Sequence, residues 1–188
     1  METARKLEEH YTYADYCTWP EDERWELING VAYAMATPTV EHQHVVLEIA
    51  GQVREYLKDK PCRVFIAPLS VRLNADAGDD TVVEPDILVV CDEKKLEDGK
   101  GVVGAPDLIV EILSPSNVKH DTFRKFTLYQ KSGVREYWIV DPEVKTLMVY
   151  LLHGGKYLAS AYDESDTAVP VHILEGCTID LAEVFEGI

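Results

Sequence analysis

The patterning of the chain predicts an α/β (α+β) fold, a mixed sheet flanked by helices, and three observations carry that prediction. Apolar residues recur at helical spacing from Glu41 to about Lys58, and a second helix is expected from Asn117 to about Ser132. Between and after these stretches lie short runs of branched and aromatic residues bounded by Gly, Pro, Asn and Asp, as strands are. No repeat, low-complexity segment or linker interrupts the 188 residues, so one domain spanning 1–188 is expected.

The elements follow in order. In "YTYADYCTWP" Thr12 is placed to cap a short helix that Pro20 ends. "RWELINGVAYAM" reads as a hairpin, because Asn29 and Gly30 suit the positive φ angles of a type I′ turn. In the first long helix Val45, Val46, Ile49, Val53, Tyr56 and Leu57 form the apolar stripe. "CRVFIAPLSVRLN" supplies two short strands broken at Pro68, "EPDILVVCD" a third and "APDLIVEIL" a fourth. Asn117 is placed to cap the second long helix and Gly133 to end it. The strands "REYWIVD" and "TLMVYLL" join at Asp141 and Pro142, and the tail from Lys156 reads as further short strands and a helical turn near Ala182 to Phe185.

Bulk properties narrow the function. A hydrophobic content of 46% with only 9 Pro and 11 Gly argues for a folded protein. No apolar run approaches the roughly 20 residues of a membrane span, and "METARKLEEHYTY" has no hydrophobic signal core, so no membrane partner and a cytoplasmic location are expected. The four cysteines, Cys17, Cys62, Cys91 and Cys177, form no C-x-x-C pair and are expected as reduced thiols. A formal net charge of -16 repels polyanions, so a nucleic-acid function needs a local basic surface or bound cations.

The residue that asks for chemistry is Glu111, set between Val110 and Ile112 in an apolar strand. Burying a polar group there costs on the order of 2–7 kcal/mol unless a charge, hydrogen bonds or a metal replaces the lost water. Strand parity puts Glu84, Asp86, Leu88 and Val90 on one face, and Asp107, Ile109, Glu111 and Leu113 on one face of the next strand. If the strands are neighbours, Asp86 and Glu111 converge as oxygen ligands of the kind Mg²⁺ takes, with water and phosphate completing the shell. Each acid also has a plainer reading, Asp86 as a turn cap and Glu111 as an edge residue with its head in water.

The helix "NVKHDTFRKFTLYQKSG" centres its stripe on Phe126, with Phe123 and Tyr129 beside it. Asp121 and Lys125 lie four apart on one border, so Lys125 either looks toward the sheet or forms a surface pair with Asp121. Residues 116–136 hold five basic side chains against two acidic ones, a basic island in which Lys119 and Arg124 are candidates for phosphate contact; a solvated helix face is the alternative. His42 lies on the stripe of the first long helix, as a hydrogen-bonded core histidine or as a neighbour of the acids. Glu26 is either a partner of Arg24 or a further acid near the site.

The segments "ELINGVAYAMATPTVEHQ", "EPDILVV", "APDLIVEILSPS" and "DTFRKFTLYQKSGVREYWIVDPE", over roughly residues 12 to 155, resemble the Uma-type restriction endonuclease family of the PD-(D/E)XK superfamily. The resemblance implies a restriction-endonuclease-like fold and a nuclease whose two metal-binding acids map to Asp86 and Glu111. It implies Mg²⁺ (or Mn²⁺) as cofactor, DNA as partner and a homodimer for double-strand cleavage. The superfamily lysine two residues after the second acid is absent, for Leu113 stands there. Lys125 is the candidate replacement, since the resemblance includes the spacing of Asp121, Lys125 and Tyr129. A catalytically silent module acting through protein contacts and a hydrolase of small phosphate esters are the alternatives to an endonuclease.

Overall fold

The computed structural model describes residues 10–20, 22–96, 99–114 and 120–188, and the side chains of all of these but 120–122. In helix α1 (Tyr13–Tyr16) Asp15 accepts hydrogen bonds from the backbone N–H and the hydroxyl of Thr12, each at 2.8 Å, and the helix stops short of Pro20. The hairpin β1 (Trp25–Ile28) and β2 (Val31–Ala34) turns at Asn29 and Gly30, with φ of 50° and 77°. Helix α2 (Val40–Tyr56) opens where the Thr39 hydroxyl accepts from the His42 N–H.

Six strands follow: β3 (Arg63–Ile66), β4 (Val71–Arg72), β5 (Val82–Val83), β6 (Ile87–Val90), β7 (Val102–Val103) and β8 (Leu108–Ile112). Helix α3 (His120–Ser132) ends at Gly133, whose φ of 84° lets the Val134 N–H reach back to the Tyr129 carbonyl. The cap expected at Asn117 lies outside the described residues. Strands β9 (Glu136–Asp141), β10 (Thr146–His153), β11 (Lys156–Asp163), β12 (Val169–Pro170) and β13 (Thr178–Ile179) precede a last turn, α4 (Leu181–Val184).

A six-stranded mixed sheet, ordered β11-β10-β9-β8-β6-β3, is central, and the only parallel pair within it is β8 with β9. Beside it stands a five-stranded sheet, β2-β1-β5-β4-β7, so the first half of the chain builds two sheets where the sequence suggested one. Period-two alternation divides the core. Ile87, Val89, Leu108, Val110 and Ile112 pack against Val45, Ile49 and Val53 of α2, whereas Leu88, Val90 and Ile109 face Ile28, Val71, Val83 and Tyr129. Each such aliphatic side chain, fully buried, contributes about 1.5–3 kcal/mol. The second face carries Leu88 and Ile109, the residues that share strand parity with Asp86 and Glu111.

Two expectations are corrected. Cys62 and Cys91, at the paired ends of β3 and β6, form a disulfide, and Cys17 and Cys177 are the free thiols. The two-residue strands β5 and β7 lie in stretches to which the sequence reading assigned no element. Phe123 is 75% exposed and is no part of the α3 stripe, which buries Tyr129 and half-buries Phe126. No helix among the described residues is long and apolar enough to cross a membrane.

Candidate active site

Antiparallel pairing of β6 with β8 sets Ile87 opposite Val110, and the same register continued by one residue sets Asp86 opposite Glu111. The Ile112 N–H donates to Asp86 Oδ2 at 2.8 Å, fixing that carboxylate against the strand carrying the second acid. The N-terminal turn of α2 brings His42, 7% exposed, to the same oxygen, with Nε2 3.2 Å from Oδ2. Gln43 Nε2 lies 3.5 Å from His42 Nδ1. A neutral ring that accepts there carries its proton on Nε2 and donates to Asp86.

Glu111 meets α3. Its Oε1 accepts from the Lys125 ammonium at 3.1 Å and from the Tyr129 hydroxyl at 2.6 Å. Helical spacing of four residues stacks these two donors above one acceptor. Lys125 is 5% exposed and lies 2.9 Å from Glu26 Oε1, so it is a buried ion-pair partner and not a surface residue. Glu26 enters from β1, where its parity turns it to the same core face as Ile28, and its Oε1 also accepts the Glu84 N–H at 3.0 Å.

Glu26 is therefore an acid of the cleft. Arg24 instead donates from Nε and Nη2 to Glu84 Oε2, at 3.0 and 2.9 Å, while the Tyr16 hydroxyl donates to Glu84 Oε1. This support of Glu26 through Glu84 escaped the sequence reading, although Glu84 shares its strand parity with Asp86.

Arg24, Glu26, His42, Asp86, Glu111 and Lys125 line a cleft of about 260 Å³ together with Tyr33, Ser114 and residues 35–38. Leu113 lines it as well. Of the remaining candidates, Arg124 lies outside the cleft, its guanidinium stacked 4.1 Å over the Tyr33 ring. Lys119 and the side chain of Asp121 lie outside the described residues.

The charges of the cleft are unbalanced. Arg24 answers Glu84, which leaves Glu26, Asp86 and Glu111 facing one ammonium, two formal negative charges in excess when all are ionised. Burial drives the Glu111 carboxyl upward, Lys125 opposes that, Asp86 and Glu26 add to it and the Tyr129 hydrogen bond opposes it; the result is about 8. Burial and the Glu111 charge push the Tyr129 hydroxyl well above its ordinary value.

A divalent cation suits this donor set. Asp86 Oδ1 and Glu111 Oε2 have no hydrogen-bond partner among the described residues, and two carboxylate oxygens completed by water and phosphate are what Mg²⁺ takes. No group of three or more His, Cys, Asp or Glu among the described residues is arranged to hold a metal ion by itself, so the pair would need water and phosphate to complete a shell.

Comparison with known proteins agrees with this architecture. A family model described as "Uma2: Putative restriction endonuclease" matches residues 12–182. An uncharacterized protein of Synechocystis sp. is 25% identical over 156 residues, 81% of this chain and 80% of that protein. The crystal structure of a putative nuclease of the DUF820 group from Anabaena variabilis superposes with a TM-score of 0.76, covering 93% of this chain and 97% of that one at 23% identity. The likeness in structure establishes the restriction-endonuclease-like fold.

Proposed function

Because the chain belongs to the Uma2 restriction endonuclease family, we propose that it is a divalent-metal-dependent endonuclease that hydrolyses DNA phosphodiester bonds at the Asp86, Glu111 and Lys125 cleft. One observation carries the reading: a buried lysine on α3 reaches the second acid at 3.1 Å, which supplies the cation that Leu113 cannot.

Asp86 and Glu111 would hold Mg²⁺ or Mn²⁺ through Asp86 Oδ1 and Glu111 Oε2, which accept no hydrogen bond among the described residues. Bound there, the ion supplies Lewis acidity and a more acidic water. The protein's own part is positional. Ile112 and His42 lock Asp86, Tyr129 and Lys125 lock Glu111, and Glu26 holds Lys125 from the far side, so the constellation needs little rearrangement when substrate arrives. Lys125 is then placed to offset charge developing on a phosphate oxygen or to orient the attacking water.

The test compares wild type with Asp86→Asn on plasmid and single-stranded DNA, with Mg²⁺, Mn²⁺ or EDTA. Cutting that needs both the metal and Asp86 supports the proposal, and cutting in EDTA opposes it. A second reading, a silent nuclease-fold module working through protein contacts, is favoured by Leu113 and by the net charge of -16. Absence of both cutting and calorimetric metal binding would select it.

A further inference from the structure

Phe123 and Arg124 stand together at the start of a groove that the catalytic cleft does not include. The groove holds about 370 Å³ between the hairpin turn and the outer face of α3, and is lined by Ile28, Asn29, Phe123, Arg124, Leu128 and Lys131, with Thr127 between the last two. Three features set it apart.

Its described lining has two cations and no carboxylate, in a chain whose net charge is -16. One wall is an exposed aromatic ring, Phe123, with 75% of its surface in water. It also borders the cleft, because Arg124 lies 4.1 Å over Tyr33 and Tyr33 lines the acid site. From Phe123 to Lys131 the helix rises about 12 Å, the length of three or four nucleotide steps along one strand.

A flat apolar ring flanked by cations matches the two chemistries of a nucleic-acid strand, the π-face of a base and the charge of its phosphates. We propose that this groove is a nucleotide subsite. It holds the DNA strand beyond the scissile phosphate, with an unpaired base stacked on Phe123 and phosphates against Arg124 and Lys131. The ligand is assigned on the nuclease reading above. The requirement for an unpaired base makes single-stranded or locally splayed DNA the better ligand, since in an intact duplex the base faces are already stacked.

The experiment measures binding apart from cleavage. A short labelled single-stranded oligonucleotide is titrated by fluorescence anisotropy with the full chain carrying Glu111→Gln, at low and moderate salt, alone and combined with Phe123→Ala, Phe123→Trp or Lys131→Gln. The exposed position of Phe123 spares the fold. Phe123→Ala is expected to weaken binding about 5- to 150-fold at both salt concentrations, as loss of a stacked base does. Phe123→Trp should keep the affinity and show its indole emission quenched on binding. Lys131→Gln should make the salt dependence shallower by about 0.7 in log–log slope, one phosphate contact on a single strand.

Unchanged affinity in Phe123→Ala, with wild type still cutting in a metal-dependent way, overturns the groove and leaves the nuclease reading standing. Weakened affinity in a chain that cuts nothing supports the groove and counts against the nuclease reading. Absence of oligonucleotide binding at both salts overturns the subsite.

Discussion

Lys125→Met removes a charge that two buried carboxylates share, at 2.9 Å from Glu26 and 3.1 Å from Glu111, with side-chain exposures of 6%, 4% and 13% for the three residues. The methionine refills most of the volume, so the perturbation is electrostatic. Deleting one partner of a buried pair costs about 3–5 kcal/mol, because the other is left charged without water or a counter-ion. At roughly 2–4 °C per kcal/mol for a chain of this length, Tm should fall by about 6–20 °C in EDTA at pH 8.5. At pH 5 the fall should be smaller. Burial already lifts the Glu111 carboxyl to about 8 in the folded protein, so near pH 5 it holds a proton and asks for no counter-ion. Calorimetry at the two pH values reads both effects, and adding Glu26→Gln to Lys125→Met should restore part of the loss at pH 8.5. A Tm within about 2 °C of wild type at pH 8.5 would refute the reasoning and return Lys125 to the class of solvent-screened pairs worth little.

Other outcomes follow from the same cleft. Glu111→Gln should raise Tm in EDTA above pH 8 while abolishing metal-dependent cleavage, because it deletes a desolvated charge and a metal ligand together; calorimetry and plasmid cutting check the two halves. The pH dependence has a definite sign: the folded Glu111 pKa lies above its unfolded value, so the metal-free protein should lose stability as pH rises from about 4.5 to about 8, and Glu111→Gln should remove that slope. Added Mg²⁺ should raise Tm more at pH 8.5 than at pH 5.5, since binding requires the ionised carboxylates. Tyr129→Phe deletes the 2.6 Å hydrogen bond to Glu111 and should cost about 1.5–3 kcal/mol, read from denaturant unfolding at pH 8.5. Lys125→Ala, assayed below its own melting temperature, should lower turnover with little change in metal affinity.

The parts of the fold that were legible in the sequence are those whose cause is local. Asn29 and Gly30 announce the hairpin because few other residues accept two successive positive φ angles, and the period of the α2 stripe announces its buried face. Parity grouped Asp86 with Leu88 and Glu111 with Ile109 within their own strands, but that the two acids share a face and oppose one another depends on the register of β6 with β8, which no local pattern encodes. Long-range choices were hidden for the same reason. Arg24 could have answered Glu26 on its own strand, yet it reaches Glu84 and leaves Glu26 to Lys125, a pairing visible only once the two sheets and α3 are assembled. The Cys62–Cys91 bond is set by strand pairing between residues 29 apart in sequence. Strands of two residues, such as Val82–Val83, are too short to show a period.

The most direct test is the initial rate of plasmid cleavage as a function of Mg²⁺ or Mn²⁺ concentration, measured in parallel for wild type and Glu111→Gln at low and moderate salt. A rate that saturates with metal in wild type and vanishes in Glu111→Gln is the predicted result. Cleavage by wild type that ignores the metal, or that persists at wild-type rate in Glu111→Gln, would contradict the assignment of Asp86, Glu111 and Lys125 as the site.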